Sequence, residues 1–270
     1  MLLRRAVLAA LLVVGMGVTA TPAEALTVPP PRMAALGDSI TRAFDVNGSA
    51  FLRDAPAESW STGTDTAVNS EALRLKAKYG TAPTAYNDAV TGAKMAALPA
   101  QMTTAVGQSA DYITVLMGAN DVCTKTVGAM TPVADVAAQF RTALTTAKNA
   151  ANRPTVFVSS IPNVYQLWSV LHTSGSARFA WAVYGVCQDM LSSSATETQR
   201  QTVLQRLKDD NAALASVCGE FAGTCVWDGG ATFNVQFTAK QVSTVDYFHP
   251  SVSGQAVLAA TAWGAGPYAG

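Results

Sequence analysis

Histidine is scarce in this chain and charge is low. Among 270 residues there are two histidines, and charged residues make up 13% of the chain with a net charge of zero. A neutral chain lacks the basic surface that attracts nucleic acid or an anionic membrane, so we expect neither as the main partner. The sequence also has no G-x-S-x-G, P-loop or H-E-x-x-H pattern. This excludes the nucleophile elbow, the phosphate-binding loop and the metalloprotease helix that those patterns mark.

The first 25 residues have the pattern of an export signal. Arg4 and Arg5 precede an apolar run over residues 6–18, and Ala23-Glu24-Ala25 offers small residues for cleavage. This run is too short for a membrane-spanning helix, and no other window is long and apolar enough. We therefore expect residues 1–25 to be a signal peptide and residues 26–270 to be one secreted domain without a transmembrane anchor.

The cysteines are few and widely spaced. All four follow the predicted signal peptide, at Cys123, Cys187, Cys218 and Cys225. Structural zinc prefers C-x2-4-C pairs, which these spacings do not provide, so no metal is expected. An even number of cysteines in an exported chain favours disulfides instead. Three pairings are possible; the short spacing favours Cys218–Cys225, which leaves Cys123–Cys187.

Short apolar runs alternate with longer helical patterns along the rest of the chain. Apolar runs bounded by glycine or proline suit parallel strands covered on both faces, and they occur at 33–36, 111–117, 155–160 and 224–227. Helical spacing predicts helices at 131–151, 197–217 and 251–263, with Thr196 and Ser251 as N-caps. The alternation predicts a three-layer α/β/α sandwich with a central, mostly parallel sheet of flavodoxin-like type.

One serine and one histidine stand out as candidates for nucleophilic chemistry. Ser39 directly follows a predicted strand, where the active groups of such sheets collect, although a serine there could also be an ordinary helix cap. A serine hydroxyl needs a base, and His249 has Asp246 three residues before it. That carboxylate can fold back to Nδ1 and leave Nε2 free for Ser39. His172 has no acidic neighbour in sequence, and we interpret it as structural.

Ester hydrolysis also needs donors for the developing oxyanion. Asn120 follows the strand at 111–117 and can offer its side-chain amide. Gly92 can offer its N–H without a side chain that blocks the substrate. Both residue types are also common in turns, so each is a candidate only in combination with the others.

Four segments together resemble the four sequence blocks of the SGNH (GDSL-type) hydrolase superfamily, in the same order. They are GDSIT at 37–41, NDAVTG at 87–92, GAND at 118–121 and DYFHPS at 246–251. The resemblance implies that Ser39 is the nucleophile, His249 the base and Asp246 its orienting carboxylate. It also implies an oxyanion hole from the Ser39 N–H, the Gly92 N–H and the Asn120 side chain, with no metal or cofactor.

A narrower similarity concerns the segments ESWSTG at 58–63, NDAVTGAK at 87–94 and GANDVC at 118–123. They resemble the phospholipase B-like branch of secreted actinobacterial lipases and esterases. This implies a secreted, monomeric esterase or lipase that acts on carboxylic esters of lipids, phospholipid acyl esters among them. The alternatives are a carbohydrate deacetylase of the same superfamily and a non-catalytic secreted binding module. We further hypothesise that part of the apolar stretch at 161–181 lines an acyl pocket; helix packing would equally explain it.

Overall fold

The computed structural model describes residues 26–269, and the predicted signal peptide lies outside them. A single five-stranded sheet organises this part of the chain, with the strand order β2-β1-β3-β4-β5 and every neighbouring pair parallel. The strands are β1 (Arg32–Gly37), β2 (Thr84–Asn87), β3 (Tyr112–Leu116), β4 (Thr155–Val158) and β5 (Cys225–Trp227). The predicted parallel sheet is confirmed, and four of its strands lie at the predicted places.

The edge strand β2 was not predicted from the sequence. It has the residues Thr-Ala-Tyr-Asn and pairs with β1 alone, so its first two side chains are exposed and its last two are half-buried. A strand that buries so little surface needs no run of branched apolar residues, and it therefore lacks the pattern by which the other strands were found.

Helices cover both faces of the sheet and make it a three-layer α/β/α sandwich, as predicted. Helix α4 packs against both α2 and α8, and α1 packs against α9. The helices are α1 (Glu71–Tyr79), α2 (Leu98–Gly107), α3 (Ala119–Val122), α4 (Val133–Asn149), α5 (Val164–Leu171), α6 (Gly175–Tyr184), α7 (Gln188–Leu191), α8 (Glu197–Glu220) and α9 (Val252–Ala265). Short 3-10 turns lie at Gly48–Ala50, Pro56–Glu58, Met95–Ala97, Val127–Ala129 and Ala239–Gln241.

The helix starts follow from side-chain capping. Thr196 accepts a hydrogen bond from the N–H of Gln199, whose side chain accepts one in return from the N–H of Thr196. Ser251 caps α9 through the N–H of Gly254. Both caps were predicted, because serine and threonine satisfy the free N–H groups of a first helical turn.

Two disulfides join elements of the fold, and they are the pairs that the sequence favoured. The long-range disulfide, Cys123–Cys187, joins the end of α3 to the start of α7 across 64 residues. The short-range disulfide, Cys218–Cys225, joins the end of α8 to β5 across 7 residues. Among residues 26–269, none of the helices is long and apolar enough to cross a membrane.

Candidate active site

The candidate site residues converge at the carboxyl ends of the three neighbouring strands β2, β1 and β3. Ser39 lies two residues after β1, Gly92 follows β2, and Asn120 is in the first turn of α3 after β3. His249 reaches the same edge from the loop that precedes α9. Residues that are far apart in the sequence therefore meet where parallel sheets of this kind place their active groups.

Ser39, His249 and Asp246 form one hydrogen-bonded series. The Oγ of Ser39 lies 2.7 Å from Nε2 of His249. The Nδ1 of His249 is hydrogen-bonded to Oδ2 of Asp246. All three residues are buried, so the series is shielded from competing water. A hydroxyl, an imidazole and a carboxylate in this order can move a proton from oxygen to nitrogen while the imidazolium that forms is stabilised.

The carboxylate of Asp246 is fixed by the backbone of its own loop. Its Oδ1 accepts hydrogen bonds from the N–H of Phe248, at 2.9 Å, and from the N–H of His249, at 3.0 Å. Burial by itself raises the pKa of Asp246, but the hydrogen bond and charge of His249 and these two N–H groups together bring the pKa below its ordinary value. Asp246 therefore stays ionised and keeps a hydrogen-bond acceptor in front of Nδ1.

Neighbouring groups hold the histidine loop in place. The rings of Phe44 and Phe248 pack edge-on against the His249 imidazole, with centroids 5.3 and 5.0 Å away. Tyr247 has a φ of 56°, in the left-handed region, and the indole N–H of Trp181 donates to its carbonyl at 2.9 Å. These contacts restrict the rotation of the imidazole and keep Nε2 directed at Ser39.

The three predicted oxyanion donors are available as donors. Among residues 26–269, neither the Ser39 N–H nor the Gly92 N–H donates to another protein group. The side-chain amide of Asn120 donates one hydrogen to the carbonyl of Ala93 at 2.9 Å, and this bond orients the amide with its second N–H still unused. Gly92 has a φ of +80°, and a Cβ there would meet no protein atom within 4 Å. Glycine is therefore favoured by the backbone conformation, and the space beside its N–H is open.

A second glycine, Gly37, lies just before Ser39, where β1 and β3 approach each other closely. A Cβ at Gly37 would lie 2.3 Å from the carbonyl oxygen of Leu116, and the φ of Gly37 is +151°. Any side chain there would push the turn with Asp38 and Ser39 away from β3. Gly37 is also clamped by Gln101, whose side chain accepts from the Gly37 N–H at 2.8 Å and donates to its carbonyl at 2.9 Å.

Two further buried carboxylates, Asp38 and Asp45, interact electrostatically with His249, and neither has a role predicted from the sequence. Asp38 is fully buried, which raises its pKa to about 6, and its Oδ1 accepts from the N–H of Ile40 at 2.9 Å. Asp45 is buried too, and it has ligating atoms within 4.8 Å of those of Asp246 and His249. Burial, together with the charge of Asp246, raises the pKa of Asp45. Asp45 lies outside the recognisable motif segments and six residues from the nearest candidate, Ser39, so no spacing rule could have found it.

Asp45, Asp246 and His249 could in principle share a metal ion. Within residues 26–269 they are the only group of at least three histidine, cysteine or acidic side chains that lie close enough together. Both nitrogens of His249 are already hydrogen-bonded, Nδ1 to Asp246 and Nε2 to Ser39. A metal ligand needs a free nitrogen lone pair, so the arrangement fits proton transfer better than metal binding.

Residues 59–63 support the turn that carries Ser39, which gives this segment a structural explanation. Gln255 of α9 accepts from the N–H of Trp60 at 3.0 Å and donates to the carbonyl of Ile40 at 2.8 Å. The indole of Trp60, fully buried, donates to Oγ1 of Thr41 at 3.2 Å. The segment therefore ties the last helix to the two residues that follow Ser39.

An apolar pocket is lined by the residues that directly follow Ser39 and that flank His249 in sequence. It is lined by side chains from the turn after Ser39, from α3, from α5 and from the loops around His249, among them Ile40, Ala119, Leu167, Phe237 and Phe248. From the stretch at 161–181, Val164 and Leu167 line this pocket, whereas Leu171 and Trp181 are buried in the core. His172 lies at the end of α5, where its Nδ1 is 3.0 Å from the carbonyl of Trp168.

A serine hydroxyl, an imidazole and a carboxylate in series at the edge of a parallel sheet define the class of nucleophilic hydrolases. The chain belongs to the GDSL-like lipase/acylhydrolase family, whose model matches residues 35–257. It is an ester-hydrolysing enzyme with the α/β fold of the SGNH superfamily, as the sequence motifs implied. A search of curated proteins gave no match.

Several solved structures share the fold at low sequence identity. A Parabacteroides merdae protein described as a GDSL-like lipase has a TM-score of 0.53 and 16% identity, over 86% of this chain and 94% of that chain. TesA has a TM-score of 0.51 and 14% identity, over 87% of this chain and 97% of that chain. A Streptococcus pneumoniae protein described as a platelet activating factor has a TM-score of 0.51 and 17% identity, over 87% and 84% of the two chains. These likenesses concern the fold alone.

Proposed function

We propose that this protein is a secreted serine esterase or lipase that hydrolyses carboxylic esters of lipids through an acyl-enzyme on Ser39. The observation that carries the proposal is the 2.7 Å contact between Ser39 Oγ and His249 Nε2, with Asp246 bound to the other ring nitrogen. His249 takes the proton of Ser39 while Oγ attacks the ester carbonyl carbon. The carbonyl oxygen becomes an oxyanion, and Asp246 stabilises the imidazolium.

The remaining steps, which are release of the alcohol and hydrolysis of the acyl-enzyme, use the same groups. The tetrahedral intermediate collapses, and His249 gives its proton to the departing alcohol. A water molecule then gives a proton to His249 as it attacks the acyl-enzyme, and the acid leaves as Ser39 recovers its proton. In both halves the oxyanion is held by the Ser39 N–H, the Gly92 N–H and the free N–H of the Asn120 amide. No step needs a metal or a cofactor.

The proposal of lipid esters is supported by the apolar pocket beside Ser39. Its lining from Ile40, Leu167, Phe237 and Phe248 would cover an acyl chain whose carbonyl lies at Ser39. Burial of each methylene contributes about 0.8 kcal/mol, so such a pocket favours acyl groups longer than acetyl. This preference would separate the enzyme from a carbohydrate deacetylase, whose acyl group has one methyl.

Secretion is supported by the two disulfides, which persist in oxidising compartments, together with the signal-like sequence of residues 1–25. We propose that the mature protein starts near residue 26 and acts as a monomer. Amino-terminal sequencing of protein from the culture medium, together with its mass in solution, would check both.

The test of catalysis compares two serine variants. Ser39→Ala should remove both esterase activity and labelling by a fluorophosphonate, which reacts with activated serines. Ser193→Ala, a change at an exposed serine in the α7–α8 connection, should keep both. Failure of the wild-type protein to take up the label, or unchanged activity in Ser39→Ala, would contradict the assignment of the nucleophile.

The test of substrate uses nitrophenyl esters of increasing chain length, followed by phospholipids, triglycerides and acetylated sugars. We expect kcat/KM to rise from the acetyl ester towards longer acyl groups. Activity confined to acetyl esters and acetylated sugars would contradict the lipid assignment and favour a deacetylase.

A further inference from the structure

Large apolar side chains that are exposed to solvent are concentrated at one end of this molecule. Within residues 26–269 there are seven of them, and six lie on segments that follow the carboxyl ends of the strands. We call these six the apolar rim: Phe51, Leu52, Val90, Phe179, Val183 and Tyr184. The seventh, Val28, precedes β1 at the opposite end of the sheet. Single exposed apolar residues are ordinary on protein surfaces, but a concentration around one opening is not.

Helix α6 provides half of the rim. Phe179 and Val183 are one turn apart on the same helical face and are 71% and 59% exposed, whereas Ala180 and Trp181 of the same helix are buried. The exposed face of the helix forms a groove with Val245 and Tyr247. Because Tyr247 is two residues from His249 and receives the Trp181 hydrogen bond, this face adjoins the histidine loop directly.

The loops after β1 and β2 provide the other half. The N–H of Leu52 donates to Oδ1 of Asp45 at 2.5 Å, and Asp45 faces Asp246 and His249. The hydroxyl of Thr91 donates to Oδ1 of Asp54 at 2.5 Å, which joins this loop to the one that carries Val90 and Gly92. The loop that carries Leu52 is therefore anchored to a carboxylate beside His249, and the loop that carries Val90 is joined to it.

We propose that the apolar rim docks the enzyme on the surface of a lipid aggregate, so that an ester enters the site from that surface. The proposal rests on the proposed function and commits it to aggregated rather than dissolved lipid esters. The rim is continuous with the site through the contacts of Tyr247, Asp45 and Thr91. The chain has zero net charge and so no net attraction to an anionic surface, and the apolar side chains of the rim suit a zwitterionic or neutral lipid surface.

The test measures binding to phosphatidylcholine vesicles and hydrolysis of two substrates, one micellar and one dissolved. The variant Phe179→Ser/Val183→Ser should bind vesicles at least about tenfold more weakly and lose activity on micellar ester by a similar factor, because two apolar anchors are gone. Its hydrolysis of dissolved nitrophenyl acetate should stay within about twofold, since neither residue belongs to the catalytic series. The matched control is Val28→Ser, which removes a valine that is 74% exposed at the far end and should leave vesicle binding and both activities unchanged.

The possible results separate docking from catalysis. Vesicle binding by Ser39→Ala equal to wild type would support a docking surface that works without turnover. Unchanged vesicle binding by the double variant, or an equal loss with Val28→Ser, would overturn the proposal. The proposal would also be overturned if no form of the protein binds vesicles and the wild type forms a concentration-dependent dimer that the double variant does not form. That result would assign the rim to contact with a second copy of the chain. Hydrolysis of dissolved esters without vesicle binding would overturn the docking surface and leave the proposed esterase activity standing. Vesicle binding without any hydrolysis would overturn the proposed esterase activity and leave a lipid-binding surface.

Discussion

The replacement of Asp246 by asparagine should strongly lower activity, because it should move the hydrogen of neutral His249 from Nδ1 to Nε2. In the native loop, Oδ1 of Asp246 accepts two backbone N–H groups and Oδ2 faces Nδ1 of His249. An asparagine must keep its oxygen at the first position, because an amide NH2 cannot accept from those N–H groups. The NH2 would then face Nδ1, and the imidazole would have to carry its hydrogen on Nε2. A protonated Nε2 cannot take the proton of Ser39.

The size of the effect follows from the cost of turning the amide over. In that orientation two buried backbone N–H groups would face a donor, and each unsatisfied group costs about 1–3 kcal/mol. A total of about 2–6 kcal/mol corresponds to a fall of roughly 30- to 10⁴-fold in kcat/KM. Thermal unfolding should show that Asp246→Asn is folded, because the shape of the side chain is unchanged.

Nitrogen NMR can observe the tautomer directly, since the chain has only two histidines. In the wild type the hydrogen of neutral His249 should be on Nδ1, and in Asp246→Asn it should be on Nε2. A His172→Gln background would leave a single histidine signal. Activity within about threefold of wild type, or an Nε2 without hydrogen in the variant, would refute the reasoning.

Three other changes test separate parts of the structure. Asn120→Ala should lower kcat by about 10²–10³ with folding intact, and a loss under about threefold would remove Asn120 from the oxyanion hole. Replacing both cysteines of the long-range disulfide with serine should lower the free energy of unfolding by about 4 kcal/mol, against about 2.5 kcal/mol for the short-range disulfide. The difference is expected because the long-range disulfide closes the longer loop. The reverse order in denaturant titrations would contradict this. Glu71 is fully buried against the Tyr112 hydroxyl, and burial raises its pKa to about 8. The native state therefore binds a proton that the unfolded state releases, and stability should fall as pH rises from about 4.5 to 8 by up to about 1.4 kcal/mol per pH unit. Glu71→Gln should weaken this dependence, whereas an unchanged slope would show that Glu71 is ionised at neutral pH.

The parts of the fold that could be predicted from the sequence are those with a strong local pattern. The central strand β3 was found because its five residues are all buried, which makes a continuous apolar run. The caps of α8 and α9 were found because Thr196 and Ser251 satisfy the first helical turn locally. Strand β2 was missed because its conformation comes from pairing with β1 and not from its own residues.

The candidate site was partly predictable for a different reason. His249 could be singled out because only two histidines exist and Asp246 stands at a spacing that folds back onto it. Asp45 could not be found, since it reaches His249 only through the tertiary arrangement of the loop after β1. The same holds for Trp60, whose bonds to Thr41 and Gln255 join segments 19 and 195 residues away.

The bond between Ser39 and His249 spans 210 residues of sequence, and the Gln255 clamp on Ile40 spans 215. Ser39 is therefore synthesised near the beginning of translation, and His249 near the end. A nascent chain that lacks the last helix therefore has a serine but no means to activate it. The Ser39–His249 contact on which the proposed esterase activity rests is therefore absent for as long as the chain is unfinished.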